Sequence, residues 1–352
     1  EISACLVGSE MCIRDSYIID STEDFIMNIT LLGCGRWGSF IGWYLDKIGH
    51  KVKIWGLADA PQFIELKTTR KNNMLSFRES IEFTDNLEEA IASAEVMIIS
   101  ISSQALRSFM ERLSKLDLKG KTIVLCMKGI EVATGKRLTE IVSEFITNET
   151  KLAIWVGPGH PQDFSNGIPN CMVIDSNDDE VKNFLIDEFS SELIRFYVGK
   201  DLIGSEIGAA SKNTIGIAAG MLDGMHLSSL KGALMSRGTR EIARLIKAMG
   251  GNELSAYGLC HLGDYEATLF SPYSHNRRYG EMLVKGEKFA QLAEGVDTTK
   301  ALVFLGEKYN VDLPICKAVN KAILGEYTPK ECLDELFLRS RKPCLLYTSP
   351  SP

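Results

Sequence analysis

Residues 28–48 read NITLLGCGRWGSFIGWYLDKI, and this stretch decides the fold. Asn28 to Leu32 is a short apolar run. It enters Gly33-Cys34-Gly35-Arg36-Trp37-Gly38, and an amphipathic stretch follows to Ile48. A Gly49-His50 turn leads into the alternating run Lys51 to Trp55. Strand, glycine turn, helix and strand make one βαβ unit. The glycine spacing means little alone, but between a strand and a helix it has a mechanism. Gly33 permits the tight turn, Gly35 lets a pyrophosphate approach the backbone, and Gly38 lets the helix pack on the sheet. The helix N-terminus then offers unpaired N–H groups and a positive dipole end to the phosphates. The turn therefore predicts a dinucleotide site. An acid at the end of the second strand would select NAD. That end reads Trp55-Gly56-Leu57, with Asp59 a little late, so NAD and NADP are both admitted.

The alternation continues outward. Val96–Ile101 reads as a strand, Gln104–Leu116 as a helix, Thr122–Cys126 as a strand and Lys136–Ile146 as a helix. Leu152–Val156, Cys171–Asp175 and Ile194–Val198 read as further strands. After Val198 the texture turns helical. The expected fold is α/β, a Rossmann-type doubly wound, mainly parallel sheet followed by an all-helical C-terminal domain. The boundary is placed near Gly204, giving a dinucleotide-binding domain over 27–203 and a helical substrate and catalytic domain over 204–342. Residues 1–16 (EISACLVGSEMCIRDS) and the end from Cys344 (CLLYTSPSP) show no periodicity. Segments 1–26 and 343–352 are accordingly expected to be non-native or disordered extensions, with Met27 as a natural start.

Composition excludes several classes. Of 352 residues, 39 are Lys or Arg and 46 are Asp or Glu, a formal charge of -7 that argues against a nucleic-acid surface. No apolar run reaches the ~18 to 20 residues of a membrane span. The nine cysteines include no CxxC pair, so no metal site is expected, and free buried thiols in a reducing compartment are the simplest account. With no secretory signal in the first residues, the protein reads as cytoplasmic.

Gly208, Lys212, Gly216, Gly220 and Gly224 recur every four residues. On a helix they form one ridge. Each interior glycine costs about 1 kcal/mol relative to alanine. Close approach of another helix would compensate, and so would access of a ligand to Lys212. A lysine among glycines, alanines and Asn213 fits a functional group better than a solvated one, because burial tunes a lysine for acid–base work.

The residues then resemble a known family, the NAD(P)-dependent glycerol-3-phosphate dehydrogenases of bacterial type. The resemblance runs from about Met27 to Lys342. It rests on EIGAASKNTIGIAAG (206–220), similar to the family's catalytic-lysine helix, and on RGTREIARL (237–245). It rests also on Leu262-Gly263-Asp264, on Ser274-His275-Asn276-Arg277-Arg278, on Lys128-Gly129 and on the Gly157-Pro158 turn. The resemblance implies interconversion of sn-glycerol 3-phosphate and dihydroxyacetone phosphate with NAD or NADP, supplying a phospholipid precursor, and a homodimer. It implies that Lys212 is the acid/base on the C2 oxygen, that Lys128 is a second cation there, and that Asp264 orients Lys212. Substrate contacts would come from Lys128, Gly157, Gly159, Lys212, Asn213, Asp264, Thr268, Ser274, His275 and Asn276. Cofactor contacts would come from Gly33, Gly35, Arg36, Trp37, Gly38, Leu57, Lys128, Pro161, His275, Leu292 and Glu294.

The sequence also departs from the family. His275 stands where the family usually has an arginine that clamps phosphate, and the turn reads Gly157-Pro158-Gly159-His160-Pro161 rather than ending in a hydroxyl residue and Phe-Ala. Cys260-His261 stands where small apolar residues are usual. His160 and His261, with no ligand partner at metal spacing, read as turn and core histidines. Two rival readings are a hydroxyacid-type dehydrogenase or reductase of the same architecture and a non-catalytic dinucleotide-binding regulator. Lys128, Lys212 and Asp264 together argue against the regulator.

Overall fold

The computed structural model describes residues 25–340. The expectations for residues 1–24 and 343–352 lie outside the described residues. Eight strands form one sheet: β1 (Asn28–Leu32), β2 (Lys51–Trp55), β3 (Glu82–Thr84), β4 (Val96–Ile99), β5 (Thr122–Leu125), β6 (Lys151–Val156), β7 (Asn170–Asp175) and β8 (Ile194–Val198). Their order is β3-β2-β1-β4-β5-β6-β7-β8, and only β6 and β7 pair antiparallel. Between the strands run α1 (Arg36–Lys47), α2 (Pro61–Thr69), α3 (Leu87–Ala92), α4 (Leu106–Leu113), α5 (Leu138–Ser143), α6 (Pro161–Ser165) and α7 (Asp179–Phe189). Then come α8 (Leu202–Gly224), α9 (Lys231–Ala248), α10 (His275–Lys285), α11 (Gly295–Lys308), α12 (Pro314–Leu324) and α13 (Pro329–Phe337). The expected α/β sheet followed by a helical region is the observed architecture.

The central strands are apolar without alternation because helices cover both faces. β4 is buried along its whole length. β1 pairs with β2 on one side and β4 on the other, with Leu32 opposite both Trp55 and Ile99. The chain leaves these strands in opposite directions, so a crevice opens at their carboxyl ends. The glycine turn fills it. Gly33 has φ +120°, and a Cβ there would lie 2.2 Å from the Ser100 carbonyl oxygen.

Several expected boundaries shift. The strands expected to reach Ile101 and Cys126 end at Ile99 and Leu125. The helix expected over 136–146 spans only Leu138–Ser143, because Glu131 N–H donates to the Lys136 carbonyl at 3.0 Å and Ile130 bridges to Arg137. The helix expected from Gln104 starts as a 3-10 turn over Ser103–Ala105. Strand β3 escapes the pattern because three edge residues carry no apolar run. Gly204, at the expected boundary, lies inside the first turn of α8, which follows β8 after residues 199–201. A Cβ on Gly204 would meet the Asp201 carboxylate at 2.1 Å, so this glycine marks close packing rather than a link.

The glycine ridge of α8 is a helix contact. A Cβ on Gly220 would sit 1.8 Å from the Arg277 carbonyl oxygen of α10, and one on Gly280 of α10 would sit 2.0 Å from the Ile217 carbonyl oxygen. Alanine at Gly220 would gain about 1 kcal/mol in helix propensity but must push two backbones apart, an overpacking cost of about 1–3 kcal/mol or more. Gly220→Ala should therefore lower the melting temperature. Gly232→Ala should hold or raise it, because Gly232, in the first turn of α9, has nothing within 4 Å of its Cβ position. Thermal unfolding of both variants reads the contrast, and equal shifts would refute the close-contact account.

Candidate active site

The turn after β1 delivers the N-terminus of α1 with Gly35 at the N-cap and no side chain capping it. The first-turn N–H groups thus keep their need for an acceptor. Nothing lies within 4 Å of a Cβ built on Gly35, whereas one on Gly38 would meet the Gly33 carbonyl oxygen at 2.0 Å. Open space at the second glycine and none at the third is the shape a pyrophosphate requires. These residues fit the dinucleotide.

The two lysines meet beside this turn. Lys212 Nζ lies 2.5 Å from Asp264 Oδ2, and Lys128 Nζ lies 2.7 Å from the same oxygen. Lys128 also donates to the Gly157 carbonyl at 2.7 Å, and Lys212 donates to Thr268 Oγ1 at 2.8 Å. Lys128 Nζ is 5.8 Å from the centre of the Trp37 ring, which joins the lysine pair to the glycine turn. Asp264 is fully buried, and its Oδ1 has no partner among the described residues. Burial pulls the Lys212 ammonium down. Asp264 opposes that and Lys128 assists it, leaving a pKa of about 7. A lysine ordinarily titrates near 10.4, so this one can carry or release a proton near neutrality.

Asn213 donates from Nδ2 to the Lys128 carbonyl at 3.2 Å and accepts from Asn276 Nδ2 at 3.0 Å. Asn276 Oδ1 accepts from Gly295 N–H at 2.9 Å. One hydrogen-bonded line therefore runs from the lysine loop through α8 and α10 to α11. Glu294 reaches across to the loop after β4, accepting from Ser103 N–H at 3.2 Å and from Ser103 Oγ at 2.5 Å.

The remaining predicted residues divide. Gly157 and Gly159 both have positive φ, and Pro161 opens α6. Ser274 spends its hydroxyl as the N-cap of α10, accepting from Arg277 N–H at 3.3 Å. Leu57 and Leu292 expose their side chains, and the Leu292 carbonyl accepts from His275 Nδ1 at 3.1 Å. The His275 pKa is pulled down by burial and then by the nearby Arg36 charge. Arg277 is committed to Asp223, away from the lysines.

His261 is fully buried and structural. Its Nδ1 donates to the Gly208 carbonyl at 2.9 Å, and its Nε2 accepts from Tyr265 at 2.7 Å. His160 lies in the turn, as its sequence reading expects, at the N-cap of α6. Burial, followed by the Lys212 charge, lowers its pKa to about 4, and Asp264 and Arg36 also act on it. It stands near the Lys212–Asp264 pair. The signal that could have found it was its place in the glycine-flanked turn whose Gly157 carbonyl holds Lys128. Ser103 carried no sequence signal at all.

A dinucleotide turn facing two lysines on one buried carboxylate defines a nicotinamide-dependent dehydrogenase site. Comparison with known proteins agrees. The N-terminal family model described as NAD-dependent glycerol-3-phosphate dehydrogenase matches residues 28–182, and the C-terminal model of the same description matches 201–334. Glycerol-3-phosphate dehydrogenase [NAD(P)+] of Thermoanaerobacter sp. (strain X514) is 33% identical over 327 residues, covering 90% of this chain and 98% of that one. The enzyme of that name from Prosthecochloris aestuarii is 36% identical over 333 residues, covering 90% and 99%. The crystal structure of glycerol-3-phosphate dehydrogenase from Coxiella burnetii superposes with a TM-score of 0.83 at 26% identity, covering 90% of this chain and all of that one. The chain belongs to the NAD(P)-dependent glycerol-3-phosphate dehydrogenase family.

Proposed function

We propose that the chain interconverts sn-glycerol 3-phosphate and dihydroxyacetone phosphate with NAD or NADP. The observation that carries this is the pair Lys128 and Lys212 on one oxygen of Asp264, beside the glycine turn. The bound nicotinamide supplies the hydride to C2 or takes it away. In oxidation, neutral Lys212 accepts the C2 hydroxyl proton while the Lys128 ammonium stabilises the developing alkoxide. In reduction, Lys212 carries the proton in. Asp264 holds the Nζ of both lysines in place, and Thr268 steadies Lys212. Gly33, Gly35, Arg36, Trp37 and Gly38 hold the dinucleotide, with Pro161, Leu57, Leu292 and Glu294 around it. Asn213, Asn276, Ser274 and His275, with Gly157 and Gly159, surround the substrate.

Residues 27–203 act as the cofactor domain and 204–342 as the substrate domain. The product feeds phospholipid synthesis, and the protein works in the cytoplasm as a homodimer. Supporting the location, no helix among the described residues is long and apolar enough to cross a membrane, and the six described cysteines are free. An absorbance assay of NADH and NADPH with dihydroxyacetone phosphate tests the activity. A panel of 2-keto acids separates it from the hydroxyacid rival. Turnover only on a keto acid would overturn the proposal.

His275 gives a pH test. It is held below its ordinary pKa in the free protein, by burial first and by Arg36 and Arg278 besides. Gripping a phosphate dianion requires it to take up a proton, so its contribution should fade as pH rises. His275→Arg should bind dihydroxyacetone phosphate about tenfold tighter than wild type at about pH 8 and lose that advantage towards about pH 5.5. His275→Asn should be weak throughout. Parallel KM curves for all three would remove His275 from the phosphate site.

A further inference from the structure

The arginine that follows Asn276 leads to a hub outside the reacting centre. Asp223, in the last turn of α8, accepts from Lys231 Nζ at 2.7 Å and from Arg277 Nη1 at 2.6 Å on one oxygen. Its other oxygen accepts from Ser228 at 2.7 Å. Asp223, Lys231 and Arg277 are each at most 16% exposed in their side chains. Lys231 donates onward to the Leu269 carbonyl at 2.9 Å, and Arg277 Nε donates to the Ser271 carbonyl at 3.1 Å. The hub thus ties the end of α8, the start of α9, the loop before α10 and α10 itself. Burial pushes the Asp223 carboxyl up, but hydrogen bonds from Lys231, Ser228 and Arg277 more than offset that, so it stays ionised at neutral pH.

Along the rest of their contact, α8 and α10 meet through glycines, with backbone against backbone at Gly220 and Gly280. Tyr279, Leu283 and Val284 of α10 pack against the apolar cluster that holds Ile217, Ala218 and Met221 of α8, so this part of the seam is held by close apolar and backbone contact. The charged hub adds a directional polar tie between α8 and the first turn of α10. Next to Arg277 in the same first turn of α10, Asn276 bonds Asn213 and Gly295. A slip of α10 would move Asn276 before it moved Lys212, which is fixed by Asp264 and Thr268.

We infer that Asp223, Lys231 and Arg277 form a positioning hub that sets the register of α10 on α8, and thereby the placement of Asn276 and the affinity for the substrate's phosphate end. The inference rests on the reading of Asn276 as a substrate contact. It goes beyond that reading in assigning to three residues outside the site control of binding separately from chemistry.

The test compares wild type with Asp223→Asn, Arg277→Met, the conservative Arg277→Lys and the double variant. KM for dihydroxyacetone phosphate should rise about tenfold in each of the two disruptive variants. kcat and the NADH dissociation constant should stay within about twofold. The double variant should be no worse than the poorer single, since both break one network. Arg277→Lys should recover part of the loss, and it remains informative if the disruptive variants fold poorly. A kcat loss with unchanged KM, or additive single effects, would overturn the hub. Hydrogen exchange gives an independent reading: the Gly295 amide, which donates to Asn276, should lose protection in Asp223→Asn. If wild type turns over no dihydroxyacetone phosphate, the functional proposal fails, and unchanged exchange at Gly295 would then refute the hub on its own.

Discussion

Lys212→Met should lower kcat by about 10²- to 10⁴-fold, the span expected when a positioned acid/base is lost. Methionine keeps an unbranched apolar stem in the same space, so the fold and the affinity for NAD(P)H should change little. The wild-type pH profile should carry the mark of this lysine. Burial and the neighbouring Lys128 hold its pKa near 7 against the pull of Asp264. Glycerol 3-phosphate oxidation needs the neutral amine, so its rate should rise as pH increases through that value. Ketone reduction needs the ammonium, so its rate should fall over the same range. Rate measurements in both directions from about pH 5.5 to 9 should show the two limbs crossing near neutrality. A Lys212→Met enzyme with near wild-type kcat would mean that the proton is handled elsewhere.

Gly35→Val should remove dinucleotide binding altogether while the protein stays folded. The reason is the contrast within one motif. A side chain at Gly33 or Gly38 would collide with main-chain oxygens at 2.2 and 2.0 Å, so those positions are needed for folding. A Cβ at Gly35 meets no protein atom within 4 Å. Valine there fills only the space in which a pyrophosphate would sit against the α1 N–H groups. Fluorescence titration with NADH and NADPH should show no saturable binding, with circular dichroism and melting close to wild type. Retained affinity would separate this turn from the cofactor, and an unfolded variant would show that the open space is needed by the fold.

The legible parts of the sequence were those governed by local physics. The apolar run Asn28–Leu32 coincides with β1, buried on both faces, and Ile194–Val198 coincides with the edge strand β8, where buried Ile194 and Phe196 alternate with exposed Arg195 and Tyr197. Glycine spacing between a strand and a helix located the dinucleotide turn because backbone conformation and phosphate approach are properties of single residues. Where long-range bonds compete, local reading drifted. The helix expected from Lys136 begins two residues later because Glu131 and Ile130 hold the chain in a turn.

The glycine ridge shows both sides of this division. Its period of four residues was plain in the sequence and announced a close contact. Which helix makes that contact, and that Arg277 and Gly280 supply the facing backbone, depends on residues far along the chain. Ser103 was silent for the same reason, because its partner Glu294 lies 191 positions away along the chain.

The sequence by itself therefore determined the class of fold and the dinucleotide turn, because these follow from periodicity and glycine geometry, and it singled out Lys212 on its glycine ridge, while Lys128 and Asp264 were marked only through the family resemblance. The tertiary structure alone decided that Lys128 and Lys212 share one oxygen of a buried carboxylate, that this burial brings Lys212 to about 7, and that burial and Arg36 pull His275 below its ordinary pKa. Charge interaction and desolvation depend on distance through space, which the order of residues along a chain does not encode.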